Sequence, residues 1–268
     1  MNIRSVAVGR ADLRVNVRGV QTGPLIVAHR GNSSIAPENT MAALVSGVRA
    51  GAAYLEIDVH ASADGVPVVI HDYTLERTTN GTGRVADRTA AELAALDAGS
   101  WHSPPFRGER VPALAQVLDL IAAAPAGLLL EVKPFMPRAL TAAIVGEIVA
   151  RDLTTRVLLQ SYDANVLRDA RALAPAALRL GLLRDEFDAD PVAEARALGC
   201  AAFNPSVEAL LATPSMATTL RDAGLLVMVH TADHEDTWRA LTALHVTAVI
   251  TNRPAELLAW QSDGPDGS

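Results

Sequence analysis

Cysteine is nearly absent: Cys200 stands alone, inside the apolar run CAAF at 200–203. One thiol makes no disulfide framework, and its neighbours fit a buried small hydrophobe better than a nucleophile. Aromatic residues are scarce too, at 4% of 268 residues, while 50% are hydrophobic. A sizeable core is therefore expected, packed from aliphatic chains rather than rings, with disorder confined to the ends. No run of eighteen apolar residues occurs, so no segment is a candidate for a membrane-spanning helix. The first twenty residues hold Arg4, Arg10, Asp12, Arg14 and Arg18 and lack the apolar stretch of a secretory signal. A cytoplasmic protein is the expectation. Nor is there an excess of positive charge: the net charge of −7 argues against broad binding to nucleic acid or an anionic membrane. Any anionic substrate must then be held by local charge.

What the chain does contain is alternation. From Leu25 onward, short aliphatic runs alternate with helix-length stretches, the pattern of βα units around a mainly parallel sheet. Nine runs can be read, at 25–28, 54–58, 66–70, 128–132, 157–160, 178–183, 200–204, 225–229 and 248–251. Eight strands close a barrel of this size, so one run is surplus. Only residues 59–65, ending in Asp64-Gly65, separate the second and third runs. That is too short for a parallel crossover and predicts an antiparallel hairpin.

The expected fold is α/β: a distorted (β/α)8 TIM barrel forming a single domain over 1–268, with a small insertion after the third strand and an N-terminal β-hairpin. Apolar alternation at Val6, Val8, Leu13, Val15 and Val17 places that hairpin over 1–23. It would either plug the barrel bottom or contact a second subunit of a homo-oligomer. Residues 73–111 are too long and irregular for an ordinary connection and predict a cap over the barrel mouth. Helices are expected over 39–50, 114–124, 138–151, 164–174, 192–198, 216–223, 235–244 and 255–260, and a disordered tail over 261–268.

In such a barrel, functional groups lie where strands end at the C-terminal face. Here those positions are polar. The first run ends in His29-Arg30-Gly31, the second contains Glu56 and Asp58, the third ends in His71-Asp72 and the fourth in Glu131-Val132-Lys133. Gln160, Asn204, His230 and Asn252 close later runs. Glu56 and Asp58 are two apart on one strand and share a face, and Glu131 falls at the equivalent height on the next barrel strand. Three carboxylates at one rim repel one another unless a cation neutralises them. Hard oxygen donors suit Mg2+ or Ca2+; the alternative is a structural network with Arg30 and Lys133. His29 and His71 end different strands at the same rim, as a general acid and a general base for a phosphoryl reaction must. Arg30 and Lys133 offer positive charge to non-bridging phosphate oxygens. Together these residues point to metal-assisted cleavage of a phosphodiester.

The HRG at 29–31 with PENT at 37–40 resembles the signature of the glycerophosphodiester phosphodiesterase family. LEIDVHASADGVPVVIHD at 55–72, LERTTNGTG at 75–83, EVK at 131–133 and QSY at 160–162 follow in the same order, and the likeness spans 25–258. The resemblance implies a barrel with a small cap after the HD motif, and hydrolysis of a small-molecule glycerophosphodiester to glycerol 3-phosphate and an alcohol in lipid and glycerol metabolism. It implies that Glu56, Asp58 and Glu131 are metal ligands, His29 and His71 the acid/base pair, and Arg30 and Lys133 phosphate contacts. Glu38 and Asn39 would orient the histidine loop, with Gln160 behind the ligands. Two departures stand out. Where the family has Trp-Thr on a late strand and Asp after the final Thr, this chain has His230-Thr231 and Thr251-Asn252. His230 then either donates to substrate or bonds a rim neighbour such as Asn252. Trp101 and Phe106 of the insertion either close over substrate or pack the cap. Two other readings share the barrel: a lysophospholipase D-like activity on single-chain lipids, which needs an apolar groove at the mouth, and a catalytically silent binding module, against which the complete set of histidines and carboxylates counts.

Overall fold

The computed structural model describes residues 23–263 and, before them, the backbone of two short strands, β1 (Ala7–Val8) and β2 (Ala11–Asp12). These two pair antiparallel, as the expected N-terminal hairpin requires. The remainder of 1–22, with any contact it makes below the barrel or to a second subunit, lies outside the described residues, as do residues 264–268.

The chain continues as β3 (Leu25–Ala28), α1 (Met41–Arg49), β4 (Tyr54–Ala61), β5 (Pro67–Val69), α2 (Ala90–Ala95), α3 (Leu114–Ala123), β6 (Gly127–Val132) and α4 (Arg138–Ala150). Then come β7 (Val157–Ser161), α5 (Ala164–Leu173), β8 (Arg179–Arg184), α6 (Pro191–Ala197), β9 (Ala202–Pro205), α7 (Val207–Ala212), α8 (Ser215–Asp222), β10 (Leu226–Val229), α9 (Glu235–Ala243), β11 (Ala248–Thr251) and α10 (Pro254–Asp263). Eight strands pair in parallel around a closed ring, β3-β4-β6-β7-β8-β9-β10-β11, with β11 returning to β3. The fold is a (β/α)8 TIM barrel. The surplus run is β5, which pairs antiparallel with the end of β4, Val59 opposite Val69 and Ala61 opposite Pro67.

Strand periodicity divides the aliphatic residues into two cores. On β4, Leu55, Ile57 and Val59 face outward into the large layer between barrel and helices. Tyr54 joins Val27, Leu129, Leu158, Met228 and Ile250 in a second cluster that fills the barrel centre. Burying each such side chain contributes roughly 1.5–3 kcal/mol, and this layer holds the strands in register beneath the site. The inward rows that begin in this apolar layer end, one or two steps higher, in the polar rim residues.

The insertion is a small built unit. Val68 and Ile70 at β5 pack with Leu75, Val85, Leu93, Ala98 and Val111 in a core of their own. Its helix α2 was not expected from the irregular sequence, although Thr89 and Glu92 form a reciprocal capping box at its start. Helix α7 was also unexpected; six residues are too few for periodicity to reveal, and its signal is the Ser206 cap accepting from the Ala209 amide. The end of the chain needs a correction: α10 runs to Asp263, so residues 261–263 of the expected disordered tail are helical. Gln261 explains the extension, because its side-chain amide donates to the Pro24 carbonyl at 2.9 Å and ties the helix to the barrel. No helix among the described residues is long and apolar enough to cross a membrane.

Candidate active site

The HRG and PENT segments form one knot at the top of β3. Arg30 and Gly31 both take positive φ, 55° and 86°, and this turn aims the Arg30 amide at Glu56 Oε2, 3.0 Å away. The Arg30 carbonyl accepts from the Asn39 amide at 3.0 Å. Asn39, itself at φ 58°, then donates its side-chain amide to Asp58 Oδ2 at 2.8 Å and accepts from the Asp58 amide at 3.3 Å. Thr40 caps α1, accepting from the Ala43 amide. Gly31 has two reasons to lack a side chain: its positive φ, and a Cβ that would lie 2.5 Å from the Ala43 carbonyl carbon. Gly31→Ala is accordingly expected to cost about 1–3 kcal/mol of stability, read as a lower denaturation midpoint, and to displace Arg30 from Glu56.

Asp58 and Glu131 are direct cross-strand partners, and Glu56 lies one inward step lower on β4. One oxygen from each of the three meets the others within 4.8 Å, and all three residues are buried. Lys133 Nζ lies 2.5 Å from Asp58 Oδ1 and 2.7 Å from Glu131 Oε1, while Arg30 Nε stands 3.3 Å from Asp58 Oδ2 without hydrogen-bond alignment. Burial pushes Asp58 up, but Lys133 and Arg30 outweigh it and hold that carboxyl far below its usual range. The other two go the opposite way. Burial and the neighbouring Asp58 charge raise Glu56 well above its ordinary value and Glu131 to about 7. Lys133 and Arg30 are thus outnumbered by the three carboxylates, and Arg30 is also paired with Glu38, so full ionisation of the trio puts buried negative charge in excess. That surplus, with hard oxygen donors only, fits a divalent cation; a self-sufficient salt-bridge network would not leave two carboxyls strained.

Both histidines reach this rim, each with Nδ1 engaged from behind. His29 Nδ1 donates to Asn252 Oδ1 at 2.8 Å. That amide cannot turn, because Asn252 Nδ2 donates to Asp233 Oδ2 at 2.6 Å and Ser33 Oγ donates to Oδ1 at 2.7 Å. The lone pair of His29 Nε2 therefore faces the site, 4.0 Å from Glu56 Oε2. Burial and Arg30 lower this ring to about 4. His71 Nδ1 donates to the Asp72 carboxylate at 2.6 Å, and burial lowers its proton affinity as well. His60 Nε2 donates to the His71 carbonyl at 2.9 Å.

The far side of the rim is polar but not acidic at its base. Asn204 donates to Gln160 Oε1 at 2.6 Å, in space that a Cβ on Gly181 would take, 3.0 Å from Asn204 Nδ2. Gln160 is thereby held beside Glu131, its cross-strand partner. His230 bonds a rim neighbour, as one of its two expected roles has it, but the neighbour is Tyr162 rather than Asn252, which is engaged with His29. His230 Nε2 lies 3.0 Å from Tyr162 Oη, which donates to Asp185 Oδ1 at 2.8 Å, and the buried His230 Nδ1 has no hydrogen-bond partner among the described residues. Trp101 and Phe106 flank His102 edge-on, and Phe106 lines a groove along α1 with Met41 and Val45 rather than the site.

Sequence reasoning missed Asp72, Arg77, Tyr162, Asp185 and Asp233, all of which act through another side chain. One unused signal lay in the composition: Lys133 is the only lysine among 23 cationic residues. Its compact ammonium is a point charge that meets one oxygen of Asp58 and one of Glu131 in a buried gap.

Fold and site together define a phosphoric diester hydrolase on a TIM barrel. Residues 29–256 match the Glycerophosphoryl diester phosphodiesterase family, and the chain belongs to it. It is 32% identical over 236 residues to the glycerophosphodiester phosphodiesterase of Caldanaerobacter subterraneus subsp. tengcongensis, covering 87% of this chain and 96% of that protein. Two crystal structures are similar at 31% identity each. Glycerophosphodiester phosphodiesterase from Agrobacterium tumefaciens superposes with a TM-score of 0.78 over 88% of this chain and 99% of that one. A phosphodiesterase from Oleispira antarctica, in complex with its product sn-glycerol-3-phosphate, superposes at 0.84 over 90% and 98%.

Proposed function

We propose that this chain hydrolyses glycerophosphodiesters to glycerol 3-phosphate and an alcohol, with Glu56, Asp58 and Glu131 holding Mg2+ or Ca2+. The observation behind this reading is the meeting, on one rim, of a strained buried carboxylate trio with two histidines whose Nδ1 protons are committed elsewhere. A divalent cation there supplies compensation for charge that builds on the phosphate. Arg30 and Lys133, the two cations against the trio, bind the non-bridging oxygens. His29 accepts the proton of the nucleophile through Nε2, and His71 protonates the departing alkoxide. His230, whose side chain is 17% exposed at the rim, hydrogen-bonds a hydroxyl of the glycerol or the alcohol. The relatives support the substrate class, since one is complexed with sn-glycerol-3-phosphate.

A second reading draws on the loops around the mouth. Phe135, 88% exposed, follows β6 at the end that carries Glu131 and Lys133, so apolar surface lies beside the rim where an acyl chain would run. Turnover of glycerophosphocholine, glycerophosphoethanolamine, glycerophosphoglycerol and lysophosphatidylcholine, each with Mg2+ or Ca2+, separates the two. Water-soluble diesters are expected to be preferred; faster turnover of the lysolipid would move the assignment to lysophospholipase D chemistry. Inertness of the metal-replete protein towards the whole panel would leave a silent binding module. Labelled water and trapping of a cyclic product distinguish water from the glycerol hydroxyl as nucleophile.

A further inference from the structure

We infer that Arg77, contributed by the insertion, is a positioning residue that holds His71 and Arg30 in place from opposite ends of one guanidinium. Arg77 Nε and Nη2 donate to the two Asp72 oxygens at 2.7 and 2.8 Å; Nη1 and Nη2 donate to the two Glu38 oxygens at 2.7 and 2.8 Å. Each of those carboxylates has a second task. Asp72 Oδ1 accepts from His71 Nδ1 at 2.6 Å, and Glu38 Oε1 accepts from Arg30 Nη1 at 2.7 Å. The result is a continuous line, Arg30–Glu38–Arg77–Asp72–His71, that joins the first strand of the barrel to the hairpin through a residue of the cap. Its base is firm: Leu75 is buried in the cap core, and the Thr79 amide and hydroxyl both bond the Leu75 carbonyl, at 3.1 and 2.6 Å.

The charges explain why arginine is needed. Arg77 bridges Asp72 and Glu38, and its hydrogen bonds pull Asp72 far below its usual range. Without Arg77, Asp72 and Glu38 lose their shared partner and repel each other, so each is free to turn from the group it orients. A lysine keeps the charge and could meet one oxygen of each carboxylate, but it cannot make the paired, in-plane bonds that Arg77 gives to both. Because the Arg77 side chain is 44% exposed, these pairs add little to global stability, and a variant should fold. The effect belongs on geometry at the rim.

The inference rests on the proposed phosphodiesterase activity, so its test has a readout independent of turnover. Arg77→Ala and Arg77→Lys are each expected to lower kcat on glycerophosphocholine by about 10- to 100-fold at little change in Tm. Ring 15N spectra are expected to show His71 as the Nδ1–H tautomer in the parent and a mixture in Arg77→Ala. Added methylguanidinium should restore part of the lost rate in Arg77→Ala but not in Arg77→Lys, whose side chain still occupies the space. Arg107→Ala, an exposed cation of the same insertion, should match the parent. Parental kcat with an unchanged His71 tautomer in Arg77→Ala would overturn the assignment. So would a loss of rate that follows a fall in Tm and does not respond to methylguanidinium. If the parent itself turns over no diester, the phosphodiesterase reading fails, and the tautomer comparison still decides the clamp.

Discussion

His71→Ala should lose roughly 10²–10⁴-fold in kcat on diesters of ordinary alcohols, yet stay close to the parent on a diester whose leaving group is p-nitrophenol. His29→Ala should lose a comparable factor on both. The asymmetry follows from what stands behind each ring. His29 donates to the carbonyl of Asn252, a neutral partner, and burial with Arg30 holds its pKa at about 4. At neutral pH it is unprotonated, with a lone pair on Nε2 aimed into the site, the state a general base requires. Burial lowers His71 as well, but this ring donates to a carboxylate, Asp72, which opposes that shift and favours the doubly protonated form. A ring so backed is the better proton donor to an alkoxide. An alkoxide leaving group needs that proton and p-nitrophenolate does not, so only the acid becomes dispensable. Steady-state kinetics on the two substrates check the assignment. If His29→Ala spares the activated substrate and His71→Ala does not, the roles are reversed.

Much of this site was legible because strand geometry is repetitive. Once the Asp64-Gly65 turn forces β5 back along β4, period two places Glu56 and Asp58 on one face, and the parallel register brings Glu131 level with Asp58. Residues that end aliphatic runs are therefore readable as rim residues. What escaped has a common physical cause. Arg77, Asp233 and Asp185 lie on loops beyond the strands, where no period connects sequence position to direction. Their partners are brought near by loop turns and by the pairing of neighbouring strands: Asp72 lies five residues before Arg77, while Asn252 and Tyr162 end strands beside those that precede Asp233 and Asp185. Asn252 shows the limit best. In the sequence it is a lone departure from an expected aspartate; in three dimensions its amide stands between Asp233 and His29, one step further from the ring than a carboxylate in its own place would be.

The carboxylate trio makes a prediction in which stability and activity move in opposite directions. With divalent cations removed at pH 8, Glu131→Gln should melt about 5–10 °C above the parent. Its cation-supported turnover should nevertheless fall at least about 100-fold, because the proposed ligand set loses one of its three carboxylates. Burial and the Asp58 charge raise Glu131 from the ordinary glutamate value of 4.5 to about 7. Between those values the native state keeps a proton that the unfolded chain has released, so stability falls as pH rises from 4.5 to 7 and the loss is complete above that. The sum is on the order of 3 kcal/mol. Glutamine presents no charge to be buried and should remove that slope, while its carbonyl still accepts from Lys133 Nζ, which remains 2.5 Å from Asp58 Oδ1. Adding Mg2+ or Ca2+ should raise the melting temperature of the parent and do so far less in the variant. The decisive measurement is a pair of melting curves in chelator at pH 5 and pH 8. If Glu131→Gln melts below the parent at pH 8, Lys133 and Arg30 already satisfy the trio, and the rim is a salt-bridge network with no need of a cation.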